Sequence, residues 1–139
     1  DLIETNLIGP IILTQKTIKF MMINNIGRII NISSIVAKSG YKGTVAYSAS
    51  KSGMEGVTKS LARELGKRNI TVNSVAPGYM KTDLTKKMDP KKLDQIIRRT
   101  PLGRPGDVKD VIGVVSFLLT KEASFISGQS ILVDGGLLS

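Results

Sequence analysis

Two short runs rich in β-branched residues stand on either side of one long helical stretch, and no other feature restricts the fold as much. Arg28-Ile-Ile-Asn-Ile-Ser-Ser34 reads as a strand, with Ile30 and Ile32 on one side, Ile29 on the other and two serines at its end. Ile70-Thr-Val-Asn-Ser-Val-Ala76 reads as a second strand, closed by Pro77-Gly78. Residues 44–66 between them read as a helix, so the three make a βαβ unit, with parallel pairing and a right-handed crossover. Ser130 to Val133 reads as a further strand, turned by Gly135-Gly136. The fold class is α/β. Open sheets of this class bind ligands beyond the carboxyl ends of their strands, where Ser33, Ser34 and Pro77-Gly78-Tyr79 stand.

The crossover helix carries Tyr47 and Lys51, four residues apart and so on one face. A cation close to a phenol favours the phenolate. A tyrosine so placed can give a proton to a carbonyl oxygen, or take one from an alcohol, near neutral pH. Taken alone, such a pair is more often a solvated lysine beside a half-buried tyrosine, and its neighbours must decide. The chain has no cysteine and no histidine. That removes thiol nucleophiles, disulfides, Ser-His-Asp chemistry and the common zinc sites. Small residues Ser48, Ala49, Ser50 and Gly53 allow close approach of another helix or the sheet.

Ser34, then Tyr47 and Lys51, then Asn73 to Gly78, then Ile126-Ser-Gly-Gln-Ser-Ile-Leu-Val-Asp-Gly-Gly136 follow one another in an order and spacing that resembles the short-chain dehydrogenase/reductase family. Within it, the chain is most similar to the bacterial-type 3-oxoacyl-[acyl-carrier-protein] reductases, from about Leu2 to its end. The resemblance implies a Rossmann-like, doubly wound parallel sheet in three α/β/α layers, of which residues 1–139 supply the C-terminal half as one catalytic, nicotinamide-side domain. The Gly-rich pyrophosphate turn of the first half is not found, and Asp1 opens the chain without a methionine, so a preceding segment is expected.

The resemblance also implies an activity: hydride transfer between NADP(H), or alternatively NAD(H), and a carbonyl carbon. Tyr47 would give the proton, Lys51 would hold the nicotinamide ribose, and Ser34 would hydrogen-bond the developing oxyanion. Ser33 is the rival of Ser34, and family spacing to Tyr47 favours Ser34. Asn6 would distort its helix and, through a water on its carbonyl, complete a proton relay to Lys51. Pro10 fits this, since it has no N–H for the Asn6 carbonyl four residues earlier. After the Pro77-Gly78 turn, the Met80 N–H would meet the carboxamide and Thr82 would supply a hydroxyl. Asn73 would support the sheet. Arg68 matches a basic docking position for acyl carrier protein, while Asn25 stands where a second basic residue is usual. The partners implied are an acyl carrier protein or acyl-CoA substrate and further copies of the chain, as a homotetramer.

Residues 1–24 read as a helix with a broad apolar surface, suited to burial on two sides. Residues 79–106 read as a substrate lid: Met80 to Thr100 holds seven Lys or Arg against three Asp and one or two weakly amphipathic short helices, and Pro101 to Gly106 is a rigid connector. Asp107 caps a helix over 108–120 with Val111, Ile112, Val115, Leu118 and Leu119 on its buried face. The formal charge of +9 would steer an acidic partner. No apolar run is long enough to span a membrane, and a cytoplasmic location is expected. Other readings are an alcohol, sugar-alcohol, steroid or acyl-CoA dehydrogenase of the same family, and an inactive oligomerisation or binding module. A nucleic-acid binder lacks aromatic platforms and a docking motif.

Overall fold

Three parallel strands in the order β1-β2-β3 form the sheet of the computed structural model, which describes residues 1–82, 85 and 88–138. A π-helical turn, Glu4–Ile8, leads into helix α1, Gly9–Asn24. Strand β1 (Gly27–Ile32), helix α2 (Val36–Ser39), helix α3 (Val45–Leu65) and strand β2 (Ile70–Pro77) complete the βαβ unit. Helix α4 (Pro90–Arg99), helix α5 (Val108–Leu119) and strand β3 (Ser130–Val133) follow. The register runs from Gly27 opposite Ile70 to Ile32 opposite Val75, and from Ser74 opposite Ser130 to Pro77 opposite Val133.

Alternation along the strands divides the core into two faces. Ile29, Ile70 and Val72 pack with Leu65 of α3 and with Ile18, Met21 and Met22 of α1. Ile30, Val75 and Ile131 pack on the opposite face against Val111, Val114, Val115 and Leu118 of α5. The result is the expected three-layer α/β/α arrangement. Gly53 lets the π-turn approach α3, because a Cβ there would lie 2.9 Å from a Leu7 methyl.

Several boundaries and faces differ from the sequence reading. β1 ends at Ile32, so Ser33 and Ser34 lie just past the strand, and a single helical turn, α2, forms within residues 35–43, which the sequence suggests as a loop in the substrate wall. Ile112 and Leu119 of α5 are exposed and Val114 takes the inward place, because the helix rests on the sheet along a narrow stripe. α4 is strongly amphipathic: Leu93, Ile96 and Ile97 are half-buried on one face, and the remaining side chains face solvent. Within the expected lid, Asp83, Leu84, Lys86 and Lys87 lie outside the described residues.

Candidate active site

Asn6 and Lys51 meet on one cavity. It has a volume of about 470 Å³ and is lined by both side chains together with Pro10, Asn31, Ile32 and Met54. The distortion expected at Asn6 takes the form of the π-turn, in which the Gly9 N–H donates to the Glu4 carbonyl, five residues back. Pro10 cannot extend the regular ladder to Asn6, and π-turns of this kind recur at functional sites. The Lys51 ammonium donates to the Ile32 carbonyl oxygen at 2.8 Å and lies 5.7 Å from the centre of the Tyr47 ring. Burial holds the Lys51 ammonium below the ordinary lysine range. One of its three N–H donors is used by Ile32.

Ser33 and Ser34 point apart. Ser33 is 3% exposed; its one hydroxyl proton is shared between the Lys51 carbonyl (3.3 Å) and Glu55 Oε1 (3.4 Å) on α3. Backbone bonds from Ser33 N to the Val75 carbonyl and from Ile35 N to the Pro77 carbonyl clamp this turn onto β2. The alternation leaves Ser34 on the other side, lining a second cavity. That cavity, of about 780 Å³, has Ile35, Val36, Tyr41, Tyr79, Ile96 and Leu138 among its walls, and Lys92, Arg98 and Arg99 among its lining cations. Tyr47 lines neither cavity among the described residues.

The turn after β2 is tightly built. Gly78 N–H donates to the Val133 carbonyl, and a Cβ on Gly78 would lie 2.7 Å from Asp134 Cα. The Met80 carbonyl accepts from Thr85 Oγ1 at 2.9 Å, whereas its half-buried N–H has no acceptor among the described residues. The Thr82 N–H donates to Thr85 Oγ1 at 2.8 Å, and the two hydroxyls lie 3.4 Å apart. Asn73 does support the sheet: its amide donates to the Ile126 carbonyl, and its Oδ1 accepts from Gln129 N. Arg68 is exposed, in a 3₁₀ turn before β2. It therefore stands at the amino end of the sheet, which the seven steps of β2 at roughly 3.3 Å put about 23 Å from the Pro77 end.

The profile of the family described as enoyl-(acyl carrier protein) reductase matches residues 1–138. The chain belongs to the short-chain dehydrogenase/reductase family. It is 50% identical over 136 residues to a 3-oxoacyl-[acyl-carrier-protein] reductase of Rickettsia felis, covering 98% of this chain and 56% of that protein. With the reductase of that name from Vibrio cholerae it shares 40% identity over 137 residues, 99% of this chain and 56% of the other. A solved structure, a gluconate dehydrogenase candidate from Agrobacterium tumefaciens, superposes with a TM-score of 0.96 at 31% identity, over 99% of this chain and 55% of that one. The chain thus spans little more than half the length of these relatives.

Ser34 and Gly78 lie just past the carboxyl ends of β1 and β2, and the Lys51 ammonium reaches the Ile32 carbonyl at the end of β1. Much of the second cavity's wall comes from residues 35–41 and 79–99, stretches the sequence suggests for a substrate wall and lid; its C-terminal part was not foreseen. Leu137 and Leu138 reach the second cavity from the chain's last residues, held there as Asp134 accepts from Gly136 N and Leu138 N. Glu55 was missed as well, because a lone glutamate in a helix ordinarily reads as a solvated surface residue. No helix among the described residues is long and apolar enough to cross a membrane.

Proposed function

We propose that the protein reduces the keto group of 3-oxoacyl thioesters with NADP(H), NAD(H) being the alternative, in the cytoplasm. The acyl group would be presented by an acyl carrier protein or by coenzyme A. The observation that carries this reading is the cleft that opens from Ser34 and Gly78, walled by aliphatic and aromatic side chains. The aliphatic and aromatic part of this wall suits an acyl chain. The family description names an enoyl reductase and the relatives a 3-oxoacyl reductase. Hydroxyl donors from Ser34 and Tyr47 support the second, since an oxygen atom is what takes on charge when a ketone is reduced.

The residues present fit the nicotinamide end of the cofactor. Gly78 keeps the backbone low at the end of β2, the Met80 N–H is an unpaired donor among the described residues, and the Lys51 ammonium has donors to spare. When bound, the cofactor supplies the hydride. Tyr47 gives its phenolic proton to the carbonyl oxygen, and Ser34 hydrogen-bonds that oxygen as charge grows on it. Lys51 holds the ribose hydroxyls and keeps a positive charge beside the Tyr47 ring. Asn6, on the same cavity as Lys51, belongs to the path that restores the proton. Pro77 fixes the turn, and Thr82, tied to Thr85, holds the Met80 loop in shape.

The test is NADPH oxidation with a 3-oxoacyl thioester, with the open reading frame that encodes this chain expressed at full length. Tyr47→Phe is expected to lower kcat by about a hundredfold or more while the fold is kept. A carrier-borne thioester should lose kcat/KM as salt is raised, and a neutral N-acetylcysteamine thioester should not. Wild-type protein that binds no nicotinamide and turns over no thioester would instead support an inactive oligomerisation module.

A further inference from the structure

Glu55 is a buried carboxylate for which the chemistry above has no use. It lies on α3 one helical turn beyond Lys51 and is 8% exposed. Its Oε1 accepts from Ser130 Oγ of β3 at 2.6 Å and from Ser33 Oγ at 3.4 Å. Its Oε2 pairs with Lys38 Nζ of α2 at 3.3 Å. One carboxylate thus holds three segments: the third strand, the turn that presents Ser34, and the single-turn helix whose Val36 and Ser39 wall the cleft. A buried charge is costly to desolvate, and a whole ion pair replaced by well-packed apolar residues is often no less stable, whereas an apolar residue at 55 alone would strand Lys38 and the two serines. What the charge provides that an apolar residue does not is directional fixing of its neighbours.

We propose that Glu55 is a positioning residue for the reduction assigned above: through Ser33 it sets the direction of Ser34, and through Lys38 it sets the place of the α2 wall against the substrate. The two arms act on different kinetic quantities. Ser34 meets charge that grows only in the transition state, so disturbing it lowers kcat. The wall contacts substrate in ground and transition state alike, so releasing it raises KM.

Four single variants separate the arms. Glu55→Gln keeps an oxygen acceptor for Ser33 and Ser130 but gives up the ion pair, and Lys38→Met does so from the other side. Both are expected to raise KM for the thioester about fivefold with kcat within about twofold of wild type. Ser33→Ala removes the Ser33 contacts to Glu55 and to the Lys51 carbonyl, and Glu55→Ile removes the Ser33 contact together with the Lys38 pair; both are expected to lower kcat about tenfold or more, and Glu55→Ile to raise KM as well. Glu55→Gln and Lys38→Met with wild-type KM, or Ser33→Ala with wild-type kcat, would overturn the proposal however far the melting temperature moves.

The proposal rests on the reductase reading, and hydrogen exchange keeps their failures apart. The amides of Ala37, Lys38, Ser39 and Gly40 bond within this turn and α2. In Glu55→Gln they should exchange about tenfold faster while the β1–β2 ladder is unchanged. If wild-type protein reduces no thioester, the reductase reading fails, and this exchange alone decides whether Glu55 positions the wall. Unchanged exchange overturns the proposal.

Discussion

Gly78 sits where β2 runs out and the Asp134 turn crosses it. The site here needs a missing side chain: a Cβ would meet Asp134 Cα and Cβ at 2.7 Å, and backbone cannot swing aside as a flexible side chain would. Gly78→Ala should therefore destabilise the fold by about 1–3 kcal/mol, read as a lower denaturant midpoint with unchanged slope. It should also raise the KM for nicotinamide more than that for thioester, since the displaced turn leads to Met80. An unchanged midpoint would mean that the turn relaxes freely and does not hold Met80 in place. Residue chemistry of this sort was legible in the sequence only where order and spacing carry it. Tyr47, Lys51 and Ser34 were found that way. Family spacing to Tyr47 favoured Ser34 over Ser33, and the clamp of the turn onto β2, with Ser33 directed to α3, is consistent with that choice. Glu55 gave no sequence signal, because its three partners lie 17, 22 and 75 residues away.

At the scale of elements, the start of α5 shows what a cap can and cannot tell. Asp107 accepts from Lys109 N, a cap read from the sequence, and Asp110 accepts in turn from Asp107 N, which closes a reciprocal box that the sequence reading did not include. Arg104 was not readable: its guanidinium grips Asp110 with two bonds of 2.7 and 3.0 Å and ties the Pro101–Gly106 connector to the helix. The Arg104 bond first, and the Asp107 N–H second, pull the Asp110 carboxyl down from 3.8 to about 2. A carboxyl lowered on folding stabilises above its unfolded value, and that contribution fades as pH falls through the folded value. The stability gap between wild type and Asp110→Asn should thus be open at pH 6 and close as the pH nears 2, in melting curves taken over that range. A gap independent of pH would assign the effect to packing. Exposure of the pair keeps the effect modest. α1 follows the same logic: Pro10 was visible, and the π-turn was not, since it depends on how the chain redistributes the lost bond.

The whole molecule leaves two apolar faces on opposite sides of the sheet. Ile12, Leu13, Phe20 and Ile23 of α1 fall within about 100° of arc and are 46–78% exposed. Val108, Ile112 and Leu119 of α5 share a second arc and are 51–56% exposed. The sequence showed the first, as a helix apolar on too many sides for one core, and hid the second by suggesting that Ile112 and Leu119 point inward. A single self-complementary patch pairs copies into dimers, and two independent patches pair the dimers into a closed tetramer. The family resemblance implies a homotetramer with α1 and the Tyr47/Lys51 helix at its helical interface; for this chain that is a prediction, tested at the exposed α1 and α5 faces. Paired charges on one face, Phe20→Glu with Ile23→Lys, should leave dimers held by α5. Ile112→Glu with Leu119→Lys should leave dimers held by α1, and all four together should leave monomers. Sedimentation velocity distinguishes these outcomes. A monomeric wild type, or a full collapse to monomer from either pair alone, would show that the two faces do not act independently.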